Sequence, residues 1–335
     1  MRTHYCTAGT WNMDQDGQLT FDDDPEAHKL KTAVNHLRLG SFSEASAIFR
    51  ELFNVNPENL DARTGIRAAE FWQNRDKALS EMDKGLEKGR FLKGEWNTFE
   101  QFVNDGGPWS ALPIEAVRTY IFTEAIHCFV QAYNSTMGPD TSLYYDIGEC
   151  YFNIRDFDKS ARTFEYAWEF KRNNSKILAR LADAYYALSE EKKTRKKARL
   201  LFREAFLYEP ENIDLDRIRT PWVTDLIEKT RQAGFTSTEV AVWLPLYAAA
   251  AHQFNVKREL EEHEVSMLSE QIYRLEKKLT EPGAEVRLLL PRLLNRYLWL
   301  IDHYQVEEDD GIKVDILKKK FQESDQNFFN LIFFK

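Results

Sequence analysis

The chain is poor in the residues that build turns, disulfide frameworks and membrane spans. Its 335 residues include only 14 glycines, 10 prolines and 3 cysteines. Scarce glycine and proline favour helices over a turn-rich β fold, and three cysteines without a framework spacing are typical of a reducing compartment. The apolar run Val240–Ala251 is too short to cross a bilayer, and the run Leu288–Ile301 carries a proline and two arginines. The first residues lack the apolar core of a signal peptide. We therefore expect a cytoplasmic protein without a membrane span.

Motifs that carry catalysis or hold cofactors are also missing from the sequence. It contains no HExxH, no CxxC pair, no glycine-rich phosphate loop and no GxSxG. The seven histidines are scattered, and no two have the spacing by which metal ligands share a helix face. A net charge of −9 argues against general nucleic-acid binding. We expect a protein that is not an enzyme and that needs no cofactor and no metal.

One acidic stretch near the beginning resembles a calcium-binding loop. From Asn12 to Asp23, oxygen-bearing residues and Gly17 follow the offsets of the EF-hand loop. Asn12 stands where that loop usually has aspartate, and Asp23 replaces the long glutamate that binds calcium through both oxygens. A hairpin turning at Asp16-Gly17, or a segment without fixed structure, are the alternatives. The sequence leaves open whether residues 12–23 bind calcium.

The strongest pattern is a helical hairpin that occurs twice in succession. Thr141–Asn174 spans 34 residues, and Ser175–Asn212 spans 38 because of a charged insertion around 190–195. A small residue in the first helix lets the second approach closely, and bulky aromatics fill the space beside it. The matching small and aromatic residues are Gly148 with Ala182, Tyr151 with Tyr185, Phe164 with Phe202, and Ala167 with Ala205.

This period and residue pattern resemble the tetratricopeptide repeat (TPR) family, and residues 26–59 resemble a further copy. The resemblance implies an all-α fold, a TPR-like α-solenoid of helical hairpins with a C-terminal helical bundle. Before the repeats we expect one helix to end before Gly89 and a stop signal at 104–108. The expected segments are a polar tail or small hairpin (1–25), N-terminal TPR-like hairpins (26–93), an interruption and long helix (94–140), two TPR-like repeats (141–212) and a C-terminal helical region (213–335).

The resemblance also implies a binding surface. In TPR proteins the first helix of each hairpin lines a concave groove in which protein segments bind. Lys176 and Arg180 additionally match two cations of the clamp by which chaperone-binding TPR domains hold a C-terminal carboxylate. Because Asp146 stands where that clamp has asparagine, we expect an ion pair between Asp146 and Arg180 instead. The candidate groove residues are Tyr145, Glu149, Phe152, Lys176, Arg180, Asp183 and Tyr186.

A basic run offers an alternative function. Six lysines and arginines lie between Lys192 and Arg199, where they can contact nucleic acid or an acidic partner, or form a solvated helix start. No aromatic residue interleaves with the run, as stacking on bases requires. The alternative is a nucleic-acid-associated regulatory protein that uses residues 192–199.

A short apolar seam completes the set of candidate surfaces. Residues 265–279 place apolar side chains at alternating spacings of three and four, which suits either a homodimer or a helix packed inside the C-terminal bundle. The seam residues are Val265, Leu268, Ile272, Leu275 and Leu279. Taken together, the repeats and the missing catalytic motifs predict a non-enzymatic scaffold or adaptor. It binds a protein or peptide segment in its groove, for assembly of a larger complex.

Overall fold

The protein is predominantly helical, which confirms the expected all-α class. The structure is a computed structural model, and it describes residues 11–13, 19–21, 25–134, 140–307 and 311–334. In chain order the helices are α1 (Pro25–Arg38), α2 (Phe42–Val55), α3 (Leu60–Gln73), α4 (Asp76–Glu81), α5 (Leu86–Asp105), α6 (Ala111–Asn134), α7 (Thr141–Asn153), α8 (Phe157–Phe170), α9 (Ser175–Leu188), α10 (Lys192–Tyr208), α11 (Pro221–Gln232), α12 (Ser237–Ala250), α13 (Glu262–Leu279), α14 (Val286–Val306), α15 (Ile312–Ser324) and α16 (Gln326–Phe333). Within these ranges, no helix combines the length and the apolar character that crossing a bilayer demands.

Two short strands precede the helices. β1 (Trp11–Met13) and β2 (Leu19–Phe21) pair antiparallel, with Asn12 opposite Thr20. They lie on both sides of Asp16-Gly17, so their pairing favours the hairpin interpretation of this stretch over the calcium loop. Residues 14–18 and 22–24, which include Asp16, Gly17 and Asp23 of the candidate calcium loop, lie outside the described residues.

The first compact unit contains α1 to α6, together with residues 153–155. Each of α1, α2 and α3 packs on its neighbour in sequence, and α6 packs against α1, α3 and α5. Large aromatics fill the interior: Trp96 packs on Phe99 and Phe122, with ring centroids 5.2 and 5.3 Å apart. Because α6 returns to the first helix of the unit, these helices form a bundle. Helices α1 and α2 pack on each other and correspond to the repeat-like pattern at 26–59.

The expected helix end before Gly89 is wrong. Helix α5 begins at Leu86 and runs through Gly89 to Asp105, so the expected boundary between residues 93 and 94 falls inside it. A Cβ at Gly89 would lie 2.5 Å from the Phe129 ring, which shows that this glycine allows α6 to approach closely. The stop signal at 104–108 is confirmed, because α5 ends at its second residue.

The second compact unit contains residues 140–152 and 156–335. It begins with the two hairpins α7–α8 and α9–α10, whose bounds follow the sequence repeat. Gly148 has the expected role: a Cβ there would lie 2.7 Å from Phe164, and the Ser160 hydroxyl donates to the Gly148 carbonyl at 2.9 Å. A larger side chain at position 148 would separate α7 from α8.

Helices α12 to α16 share a core with α10, whereas α11 packs into the core of the two hairpins, together with one face of α12. Helix α14 packs against α10, α12, α13 and α15, and α16 packs against α12 and α15. The seam of α13 is buried in this core: Leu268 and Ile272 are 1% and 6% exposed, and Val265, Leu275 and Leu279 pack beside them. The interpretation of 265–279 as a helix packed inside the chain's own bundle is therefore confirmed. The same side chains are not available for a homodimer seam.

Candidate functional site

Helices α7 and α9 carry all seven candidate groove residues, but they do not present them equally. The Asn174 side chain caps α9 by accepting from the Ile177 amide at 3.1 Å. Lys176, in the first turn of α9, is exposed, and Phe152 and Tyr186 are partly buried. The expectation that all seven face a partner is corrected for the buried members, which are Tyr145 (8% exposed), Glu149 (1%), Arg180 (4%) and Asp183 (1%).

The buried charges form one ion network. Arg180 pairs with Glu149 through Nε and with Asp183 Oδ2 through Nη1 at 2.5 Å. Its guanidinium also lies over the Phe152 ring, 4.2 Å from the centroid. Asp146 was the expected partner, whereas Glu149 and Asp183 are two partners that the repeat pattern did not identify. Glu149 lies one turn after Asp146 on α7, and Asp183 lies one turn after Arg180 on α9.

The network is buried because another part of the chain lies over it. We call residues 213–220 the covering segment. It leaves the second repeat as an extended chain with one 3₁₀ turn, Leu215–Arg217, and it buries Ile213 and Ile218 in the core. Within it, the Arg217 side chain donates to Glu149 Oε2 at 3.0 Å. Thus the inner face of α7 and α9 is occupied by the chain itself.

Side chains of α9 form hydrogen bonds directly with main-chain groups of the covering segment. Arg180 Nη1 donates to the Arg217 carbonyl at 2.8 Å. Asp183 accepts from the Arg219 amide at 2.9 Å and from the Thr220 hydroxyl at 2.6 Å. Hydrogen bonds to main-chain groups are one means by which proteins hold extended peptides.

The electrostatics of the network keep its cation charged. Burial alone would lower the pKa of Arg180, but Glu149 and Asp183 outweigh burial and raise it above its ordinary value. Burial raises the pKa of Asp183, while Arg180, Thr220 and the Arg219 amide oppose that shift. The ionised form of Asp183 therefore depends on Arg180 and on the covering segment.

An accessible cavity remains beside the network, at the N-terminal ends of α7 and α9. It has a volume of about 220 Å³, and its lining includes Ser142, Tyr145, Asp146 and Lys176. Lys176 Nζ lies 4.4 Å from the centroid of the Tyr145 ring. The Tyr145 hydroxyl is buried and has no hydrogen-bond partner among the described residues. Burial raises the pKa of this hydroxyl, so it stays protonated and can donate.

The basic run lies at the start of α10, beside aromatic rings of α9. The Arg195 guanidinium stacks on Tyr186, 3.5 Å from its centroid. Lys197 donates to the Tyr185 hydroxyl at 2.5 Å and to Glu165 at 3.0 Å. No aromatic residue interleaves with the run in sequence, but two tyrosine rings lie beside it in the structure. The rings come from the preceding helix, where the sequence of the run itself cannot reveal them.

A second cavity, of about 280 Å³, lies among α10, α12, α14 and α16. Its buried cation Arg203 pairs with Asp302 at 2.5 Å and donates to the Val256 carbonyl at 2.8 Å. These contacts give Arg203 a structural role in joining the helices. No group of three or more histidine, cysteine, aspartate or glutamate side chains in the described part of the chain is arranged to hold a metal ion.

Comparisons with protein-family models, with curated proteins and with solved structures find no match for this chain.

Proposed function

We propose that this chain is a non-enzymatic adaptor that binds a protein segment along α7 and α9 and thereby helps to assemble a larger complex. The observation that carries the proposal is the covering segment, an extended stretch of chain already held on this face. Arg180 and Asp183 hold it largely through main-chain groups. A face that binds one extended segment has the chemistry to bind another beside it.

We further propose that α7 to α10 are two TPR-like hairpins. The helix bounds follow the sequence repeat, and the close contact of Gly148 with Phe164 supports the expected use of a small residue opposite an aromatic. In such hairpins the first helix carries the binding surface, which here is α7 and α9. The cytoplasm is the proposed compartment, in keeping with the low cysteine content.

The partner segment would bind at the end of this face that stays accessible. There Lys176 offers an exposed cation, which lies over the Tyr145 ring. The cavity of about 220 Å³ accommodates one or two side chains of a partner. A segment bound there would lie next to the covering segment, which Arg180 and Asp183 already hold through main-chain groups.

Photo-crosslinking tests this placement in native extract. A photoreactive residue at exposed Ser142 should capture a partner, whereas one at exposed Ser269 on α13 should not. Lys176→Glu should reduce capture at position 142, and Lys277→Glu, the same charge change on α13, should leave it unchanged. Arg180→Glu is unsuitable as a binding variant because the residue is 4% exposed and supports the fold. Equal capture at 142 and 269, or capture insensitive to Lys176→Glu, would contradict the proposed site.

A further inference from the structure

Four cations form a stripe along the first two turns of α10. Lys192, Arg195, Lys196 and Arg199 are spaced i, i+3, i+4 and i+7, which places them on one helix face over a length of about 10 Å. We call these four residues the basic stripe. The other two cations of the run, Lys193 and Lys197, lie to one side of it.

Within the described residues, no carboxylate pairs directly with a cation of the basic stripe, although the protein carries 54 aspartates and glutamates. The neighbouring Lys197, by contrast, pairs with Glu165 at 3.0 Å. Arg195 Nη1 and Arg199 Nε are also buried without an acceptor in the described part of the chain.

Local physical chemistry makes this arrangement unfavourable for the isolated protein. Like charges at i, i+3 and i, i+4 on a helix repel each other. The stripe also lies at the N-terminal, positive end of the helix dipole, where acidic residues are favoured. The first turn of α10 contains none, and the Glu191 side chain at the N-cap accepts no capping hydrogen bond. Residues that break such local preferences, with no stabilising partner in the same chain, tend to mark functional positions.

From this uncompensated charge we infer that the basic stripe, together with the Tyr186 ring on which Arg195 stacks, binds an acidic segment of a partner protein. An extended segment places alternate side chains on one side about 7 Å apart, so two or three acidic residues cover the stripe. Arg195, held flat on Tyr186 with its centroid distance of 3.5 Å, is pre-oriented to bind a carboxylate through two N–H groups.

An acidic protein segment fits this surface better than nucleic acid does. Four cations over about 10 Å fall short of the roughly 6–10 phosphate contacts typical of DNA-binding proteins. Glu165, Glu190 and Glu191 lie beside the stripe or just before it in sequence, and the net charge of −9 repels an extended polyanion. A short acidic segment gains the attraction of the stripe without meeting that field along its whole length.

Fluorescence anisotropy with the full chain tests the inference. The test ligand is a fluorescein-labelled peptide of eight residues in which glutamate and serine alternate, and its neutral counterpart has glutamine in place of glutamate. The glutamate peptide should bind at low salt, and its affinity should fall steeply with added salt. The double variant Lys192→Glu, Lys196→Glu should weaken binding by about tenfold or more. The matched variant Lys277→Glu, Lys278→Glu, with the same charge change at exposed sites on α13, should bind as the wild type does.

The melting temperature of the stripe variant should be no lower than that of the wild type. A loss of peptide binding in this variant then cannot be explained by unfolding. Because the stripe is distinct from the cavity beside Lys176, Lys176→Glu should leave peptide binding unchanged, and the two proposals can fail separately. The inference is overturned if the glutamate peptide does not bind at low salt, or binds no better than the glutamine peptide. It is also overturned if the matched variant or Lys176→Glu weakens binding equally. Tighter binding of a single-stranded oligonucleotide, lost in the stripe variant, would assign the stripe to nucleic acid instead.

Discussion

Arg180→Met is expected to destabilise the second compact unit by about 3 kcal/mol. The substitution keeps the bulk of the side chain but removes its contacts with Glu149, with Asp183 and with the Arg217 carbonyl. Removing one partner of a buried ion pair generally costs about 3–5 kcal/mol, because an uncompensated charge stays behind. Here Arg217 still contacts Glu149 at 3.0 Å, which places the expected effect at the lower end.

Two further variants separate the ion network from nonspecific effects. Lys176→Met lies one turn away on α9 and removes only an exposed cation over the Tyr145 ring, which is worth about 0.5–1 kcal/mol or less. Glu149→Gln added to Arg180→Met replaces one of the two buried carboxylates that have lost the Arg180 cation with a neutral amide. It should recover about 1 kcal/mol of the loss.

Urea unfolding followed by far-UV circular dichroism measures these differences in the free energy of unfolding. Because the chain has two compact units, unfolding can occur in two transitions, and only one midpoint should move. If Arg180→Met unfolds at the same urea concentration as Lys176→Met, the network is not buried as described. If Glu149→Gln worsens the Arg180→Met variant, the excess of buried negative charge that remains without Arg180 is not the cause of the loss.

Three other outcomes follow from particular contacts. Gly148→Ala should destabilise the protein by about 1–3 kcal/mol in urea unfolding, because its Cβ would lie 2.7 Å from Phe164; an unchanged midpoint would contradict the close approach of α7 and α8. Glu264→Gln should cost about 1 kcal/mol at pH 7, since the hydrogen bond from Arg258 lowers the pKa of Glu264 below 4.5. That contribution is present above the unfolded pKa and is lost as pH falls through the folded pKa, so thermal melts at pH 7 and pH 3 should show the difference between variant and wild type shrinking in acid. Lys192→Glu should raise the melting temperature slightly, because it relieves repulsion at the positive end of α10, and a lower melting temperature would show that the lysine is compensated.

The sequence predicted the second unit far better than the first. The repeat at 141–212 predicted four helices and the contact of Gly148 with Phe164, because the pattern of small and aromatic residues records how adjacent helices pack. In the first unit, Gly89 was interpreted as a helix end, whereas it lies against Phe129 on another helix. A glycine that ends a helix and one that admits a neighbouring ring look the same without the tertiary structure.

The candidate site was predicted in its location but not in its accessibility. The repeat pattern placed Arg180 on the inner face and predicted a carboxylate partner for it. It did not predict that Arg217, Arg219 and Thr220 complete the network, since they follow the repeat and carry no periodic signal. Contacts between Glu149 and Arg217 join residues 68 positions apart. Such contacts depend on where the covering segment turns, which only the folded chain shows.

The burial of Glu149, Arg180 and Asp183 under residues 213–220 is the observation on which the proposed binding face depends most. Hydrogen–deuterium exchange of the wild-type chain, resolved on a peptide that spans 213–220, measures it directly. The amides of this segment, including the Arg219 amide that donates to Asp183, should be protected at neutral pH, and Arg180→Met should remove that protection. Exchange of the wild-type segment as fast as an unstructured peptide would contradict the covering of α7 and α9.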